Sequence, residues 1–338
     1  MAKRILVTGA GGFIGGFIVQ AAIGKGYETW AAVRKTTNRK FLGDERIHLI
    51  ELDFTDPVAL KGALQRAIGE NGGKWDYVVH NLGATKARNY MEFEHVNYGY
   101  TRLLVETLKA LDAVPEMFLL MSSLSVMGQG DEGGYTPFRA TDTPSPNTHY
   151  GMSKAKAETY LALQASWLPY TIFRCTGVYG PHERDYYLMM KSIKQGFDFS
   201  VGFKRQMLTF LYVKDLADAV MQALEAGPKR RAYFISEDRA YSQKEFREIV
   251  LKELNKAFVI PIKAPLWVLH LLCACGSLYS KFSGKATLFN RDKYNILKQR
   301  NWQCDISDTR RDLGFAPRYS LQEGIRETVA WYKAAGWL

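Results

Sequence analysis

The chain is 338 residues long, more than one average domain needs, so two units or one large one is expected. Apolar residues at 47% and charged residues at 23% exclude a disordered chain. The 45 Lys and Arg against 34 acids give a net charge of +11, which suits phosphate-bearing ligands, nucleic acid or an anionic membrane without choosing among them.

Residues 3–8 read as a short buried strand, a β-branched apolar run stopped by Gly9. Gly11, Gly12, Phe13, Ile14 and Gly15 follow, and then a helical pattern through Phe17, Ile18, Ala21 and Ala22. Gly9 permits the tight turn, Gly12 lets the backbone approach a pyrophosphate, and Gly15 lets the helix lie close on the strand. The helix start adds free N–H groups and partial positive charge, so a dinucleotide is expected here.

A second strand over residues 28–33 ends at Val33, about where an acid for a ribose 2′-hydroxyl would fall. Arg34 and Lys35 follow instead. That cationic fork favours a 2′-phosphate, so Arg34 is assigned to NADP(H), with NAD as the alternative. Residues 48–54 form the third strand, with Asp53 at its carboxyl end, and Asp56 and Pro57 open the next helix. The fourth and fifth strands fall at 76–80 and 116–121. This alternation predicts an α/β, Rossmann-type doubly wound parallel sheet with helices on both faces.

Ser122 and Ser123 close the fifth strand. After a loop containing Pro137, Pro144 and Pro146 come Tyr150 and Lys154, at the start of a helical stretch reaching residue 163. Four-residue spacing puts both on one helix face. An ammonium beside a phenol favours phenolate, so the Tyr150 pKa is expected below its ordinary value near ~10. Such a tyrosine can give a proton to a carbonyl oxygen, or take one from a hydroxyl, during hydride transfer. A serine at a neighbouring strand end can hold the same oxygen.

Taken together, these motifs resemble the extended short-chain dehydrogenases/reductases of the NAD(P)-dependent epimerase/dehydratase family, over essentially the whole chain. The resemblance rests on T-G-x-x-G-x-x-G at residues 8–15, Asp53, residues 80–83, Asn97, S-S-x-x-V-x-G from Ser122, and Tyr150 with Lys154. It continues through Arg174 to Pro181, Tyr212 to Asp215, and the closing stretch from Leu313 to Ile325. It implies Ser123 as the active-site serine, Tyr150 as acid/base and Lys154 as its activator and ribose ligand. Phe13, Ile14, Asp53, Phe54, Leu82, Gly83 and Val178 would line the cofactor, and the chain would pair as a homodimer through the helices after the fourth and fifth strands. Two positions depart from the family pattern: Leu82 replaces a small alanine, and Cys175 replaces a proline.

The implied organisation is a nucleotide domain over 1–180, with 206–235 returning to it. A smaller, mostly helical substrate-binding domain would take 181–205 and 236–338. Within the family, 4,6-dehydratases carry an acidic pair after the fifth strand, whereas Ser123, Leu124 and Ser125 offer no carboxylate. Sugar-nucleotide enzymes place a diphosphate-holding arginine where this chain has Leu208. The expectation is a reductase, or reversible dehydrogenase, of a hydrophobic steroid-, flavonol- or lipid-like small molecule. The alternatives are a sugar-nucleotide epimerase with tightly held NAD and a non-catalytic NADP(H) sensor.

Residues 264–280 carry no charge. At 17 residues, interrupted by Pro265, His270 and Gly276, the stretch is poorly suited to span a bilayer. Two readings remain open: a buried helix of the substrate domain, or an interfacial helix amid Lys263, Lys281, Lys285, Arg291, Lys293, Lys298 and Arg300. His80 reads as structural, His149 as an exposed loop residue, and Asp215 as a cap for a helix over 216–224. Tyr179, His182, Arg184, Asp185, Tyr186 and Tyr187 stand where substrate would approach. Cys175, Cys273, Cys275 and Cys304 have neither disulfide nor metal-site spacing, and no secretory pattern opens the sequence. A cytoplasmic protein, alone or peripheral to the inner face of the membrane, is expected. No nucleic-acid motif accompanies the charge.

Overall fold

Alternating side chains of the first strand bury in opposite directions, and that sets the architecture. In β1 (Arg4–Thr8), Ile5 and Val7 enter one apolar cluster while Leu6 enters another. A strand buried on both faces reads as a continuous apolar run. A computed structural model of the chain describes residues 2–70, 72–283, 287 and 290–338. In it β1 is followed by α1 (Phe13–Gly24), β2 (Glu28–Val33), β3 (Ile47–Glu51), α2 (Pro57–Glu70) and β4 (Tyr77–His80). Next come α3 (Tyr90–Glu94), a π-helical turn (His95–Gly99), α4 (Tyr100–Ala110) and β5 (Met117–Ser123). A 3₁₀ turn (Leu124–Met127), α5 (His149–Leu163), β6 (Tyr170–Cys175), β7 (Gly177–Tyr179) and α6 (Asp185–Gln195) follow.

The remainder comprises β8 (Phe197–Val201), β9 (Met207–Tyr212), α7 (Val213–Ala226), β10 (Ala232–Ile235), β11 (Ala240–Ser242) and α8 (Gln243–Glu253). It ends with β12 (Ile260–Ala264), α9 (Leu266–Ser283), α10 (Arg291–Lys298), α11 (Ser307–Leu313) and α12 (Leu321–Ala334). Seven strands form one parallel sheet in the order β3-β2-β1-β4-β5-β6-β10. The order reverses between β1 and β4, where ligands of such sheets gather. Helices α1 and α7 cover one face through Ile18, Val19, Val220 and Leu224, and α2, α4 and α5 cover the other. This is the doubly wound Rossmann-type sheet.

A third cluster joins Tyr179, Phe210, Phe246, Leu321 and Ile325. Two small sheets belong to this part: β11-β9-β7, and the parallel pair β8 and β12. Helices α8 to α12 make the C-terminal portion mostly helical.

Three local expectations change. The third strand stops at Glu51, and Asp53 caps the turn after it by accepting the Thr55 N–H at 2.9 Å. Asp215 lies inside the first turn of α7, fully packed. Its carboxylate caps another segment, accepting N–H bonds from Arg318 (3.0 Å) and Tyr319 (3.1 Å). The uncharged stretch forms α9, of which, among the described residues, Leu269 and Cys273 alone are buried, so it is not a core helix. Lys285 lies outside the described residues.

Candidate active site

The glycine loop joins β1 to α1. Gly9 takes φ +66°, and at Gly15 a Cβ would run into the Gly9 carbonyl and lie 2.8 Å from Ala10 Cα. Only glycine lets the helix come that close to the strand. Gly12 is the N-cap of α1 and has no side chain to cap with, so the first-turn N–H groups of Phe13 and Ile14 face outward. That is the donor set a pyrophosphate needs, and these residues fit a dinucleotide.

The other nucleotide-side residues stand at the carboxyl ends of the parallel strands. Arg34 follows β2 in a turn closed by Thr37, whose hydroxyl accepts the Arg34 N–H at 2.9 Å. Arg34 and Asp53 are exposed, just beyond the carboxyl ends of the neighbouring strands β2 and β3. Phe54 is buried, its ring centroid 5.3 Å from that of Tyr100. Leu82 and Gly83 follow β4, with the Leu82 N–H on Thr8 Oγ1 at 3.2 Å. Val178 lies half-buried on β7.

Tyr150 and Lys154 share α5. Thr148 caps it on the Gly151 N–H at 2.9 Å. Ser123 ends β5, and its hydroxyl favours the Tyr150 phenolate. Burial opposes and wins: the phenol is pushed up to about 12, the reverse of the expected direction. Lys154 does not offset it, because its ammonium is turned to the Met121 carbonyl at 2.8 Å. Burial also pulls Lys154 down to about 8, with Cys175 and Glu158 pulling the other way. Gly83 completes the cradle. A Cβ there would lie 2.9 Å from Lys154 Nζ and from Asn97 Oδ1.

The neighbouring serine is otherwise engaged: Ser122 Oγ donates to Glu158 Oε1 at 2.5 Å, and Arg174 grips the same carboxylate. His80 is wholly buried, with Nδ1 2.9 Å from Thr8 Oγ1, and burial holds its pKa at about 3. Asn97 sits in the π turn, joining Ala84 to Ser153, which itself donates to the Tyr150 carbonyl at 2.7 Å. Asp292 of α10 accepts the N–H groups of His149 (3.0 Å) and Tyr150 (3.1 Å), fixing the start of the tyrosine-bearing helix. His149 is thus the first residue of α5 and not a loop residue. Its Nδ1 lies 3.7 Å from Asp292. Sequence reasoning missed Asp292. Its one signal is being the lone carboxylate between Glu253 and Asp305.

A cavity of about 710 Å³ lies elsewhere, between α1 and α12 against Phe17, Phe41, His182 and Trp331. Neither Ser123 nor Tyr150 lines it.

A glycine loop at a sheet's reversal point, with a Ser-Tyr-Lys set beside it, defines a nucleotide-dependent enzyme of the extended short-chain dehydrogenase/reductase type. The chain belongs to the NAD dependent epimerase/dehydratase family, whose profile matches residues 5–236. It is similar to a UDP-glucose 4-epimerase of Vibrio cholerae, 26% identical over 97% of this chain and 95% of that protein. A ceramide reductase of Caulobacter vibrioides is 24% identical over 99% of this chain and 96% of the relative. The fold matches the crystal structure of a UDP-glucose 4-epimerase of Thermotoga maritima with UDP-glucose, at TM-score 0.77 and 20% identity over 98% and 99% of the two chains.

Proposed function

We propose that the protein is an NADP(H)-dependent reductase, or reversible dehydrogenase, of a hydrophobic ketone or secondary alcohol of steroid, flavonol or lipid type. The observation that carries this reading is the environment of Leu208. This residue lies half-buried on β9, packed against the apolar third cluster. Buried Arg300, whose carbonyl accepts the N–H of the neighbouring Met207 at 2.8 Å, has its guanidinium tied to the carbonyls of Val201 (2.8 Å), Leu297 (2.5 Å) and Lys298 (2.6 Å). An apolar wall and a fully engaged cation suit a greasy substrate better than a diphosphate. Similarity to the ceramide reductase supports the same direction, and similarity to the UDP-glucose 4-epimerase keeps an epimerase as the second reading.

A bound nicotinamide supplies or accepts the hydride. Gly9, Gly12, Phe13, Ile14 and Gly15 would hold the pyrophosphate side, Asp53, Phe54, Leu82, Gly83 and Val178 would line the remainder, and Arg34 would pair with a 2′-phosphate. Ser123 and Tyr150 hydrogen-bond the carbonyl oxygen, and Tyr150 gives its proton to that oxygen as it becomes an alkoxide. A phenol held high in pKa is an acid at neutral pH, which suits the reducing direction. Residues 1–180 with 206–235 form the nucleotide domain and the rest the substrate domain. The outer faces of α4 and α5 are the proposed homodimer contact.

The test is NADPH and NADH oxidation with keto-lipids, ketosteroids and UDP-sugars. Reduction of an apolar ketone, faster with NADPH, is expected. Arg34→Ser should weaken NADPH use about 10- to 100-fold and leave NADH use nearly unchanged, the worth of a charge-assisted contact. Interconversion of a UDP-sugar with no net oxidation would replace this reading by the epimerase. A pH profile adds a second check. Lys154 is charged below about 8 and loses its proton as pH rises through that value. Its proposed role as ribose ligand needs the charge, so kcat/KM for the nucleotide should fall above that pH. Residual turnover of Lys154→Met should lack this descending limb.

A further inference from the structure

The most unusual surface of the molecule lies away from the nucleotide loop. In the β8–β12 pair, Phe197 stands opposite Ile260 and Phe199 opposite Ile262, so four large apolar side chains share one face of a two-stranded ribbon. All four are exposed. The opposite face of β8 is anchored to the body through Ser200, which is buried, and Asp198, which meets Arg247 of α8 at 3.3 Å. The apolar face is therefore the free one.

The ribbon runs directly into α9. The Gly202 N–H donates to the Ala264 carbonyl at 2.8 Å, and Leu266 packs beside Gly202. Helix α9 is inverted relative to an ordinary surface helix. Trp267, Leu271, Leu278 and Phe282 stand at i, i+4, i+11 and i+15 on its solvent side, with Trp267 70% and Phe282 84% exposed. Soluble surfaces carry such residues singly, and an extended patch marks an interaction site.

Charge selects the partner. From residue 254 to residue 291 there is no Asp or Glu, while Lys256, Lys263, Lys281, Lys285 and Arg291 fall in the same stretch. Exposed Trp and Phe in a stretch of sequence that carries lysines and no carboxylate match the boundary of an anionic bilayer. Among the described residues no helix is long and apolar enough to cross a membrane, so α9 would lie along the surface. We propose that the exposed face of β8 and β12, with the solvent side of α9, docks on an anionic lipid bilayer.

The position suits the chemistry. A cavity of about 490 Å³ opens between Ser277 of α9 and His149 and Asp292. Phe93 lines it, and its ring stands 6.0 Å from that of Tyr150. A docked molecule would present this cavity near the bilayer. That consequence rests on the apolar-substrate reading, whereas the docking does not.

Co-sedimentation with vesicles tests the docking on the full chain. Wild-type protein should pellet with vesicles of phosphatidylcholine and phosphatidylglycerol, remain in solution with phosphatidylcholine alone, and be released by salt. Phe199→Glu and Trp267→Glu should each lower the bound fraction about fivefold to tenfold. Val58→Glu, at an exposed apolar position on α2, should bind as wild type does. Equal melting temperatures would show that the variants fold. Failure of wild-type protein to pellet with the anionic vesicles, or unchanged binding by both variants, overturns the proposal. So does a dimer that Trp267→Glu dissociates in the absence of vesicle binding, which would assign the face to a second copy. Protein that pellets but reduces no keto-lipid retains the docking surface and removes the apolar substrate. Keto-lipid reduction in detergent by protein that never pellets does the opposite.

Discussion

Tyr150→Phe is expected to lower turnover by about 10²- to 10⁴-fold, the usual worth of a positioned acid or base. The substitution removes one oxygen and little else. The ring keeps its edge contact with Phe93, 6.0 Å between centroids. The Lys154 ammonium keeps the Met121 carbonyl at 2.8 Å. The backbone of residue 150 keeps Asp292 as its acceptor. What disappears is the phenolic hydroxyl, the proton donor of the proposed step. Nucleotide affinity should therefore change little, because the pyrophosphate cradle is built from backbone between β1 and α1. Steady-state turnover and nucleotide titration by tryptophan fluorescence separate the two effects. Turnover within threefold of wild type would remove Tyr150 from the chemistry. Ser123→Ala should cost less, since the phenol still supplies the proton.

What was legible in the sequence is what backbone geometry dictates locally. Gly15 is glycine because α1 lies against Gly9 and Ala10. The first strand reads as a continuous apolar run because Leu6 faces one helix layer while Ile5 and Val7 face the other. The spacing of Tyr150 and Lys154 likewise survives, since a helix turn fixes it.

The sign of the Tyr150 shift was not legible. It depends on how deeply the phenol is buried and on a carbonyl at Met121 that draws the ammonium away, and both are tertiary facts. Asp292 was invisible for a related reason: it acts on a backbone 142 residues distant. Asp215 shows the same limit. Its place near a helix start suggested a local cap, while its oxygens cap residues 318 and 319. Composition alone made α9 apolar and could not say which side would face water. That followed only when Leu269 and Cys273 turned inward and Trp267 outward.

The second large effect concerns stability beneath the site. Arg174→Met should destabilise the fold by roughly 3–5 kcal/mol, the cost of leaving a buried charge without its partner. Arg174 Nη2 lies 2.7 Å from Glu158 Oε2 and Nε 3.1 Å from the same oxygen, and both side chains are about one-tenth exposed. With the guanidinium gone, the Ser122 hydroxyl is the one hydrogen-bond donor left to the buried Glu158 carboxylate among the described residues, between β5, β6 and α5. The double variant Arg174→Met/Glu158→Leu should recover most of the loss, because removing both charges removes the desolvation cost together with the attraction. Denaturant midpoints at unchanged slope measure the difference. A single variant as stable as wild type would mean that the pair is solvated and contributes nothing. The location gives the result a functional edge. Ser122 precedes Ser123, and Glu158 lies one helix turn beyond Lys154, so the carboxylate that Arg174 neutralises ties the serine strand to the tyrosine helix. Loss of that tie should lower turnover even below the melting range, and the double variant should regain stability before it regains rate.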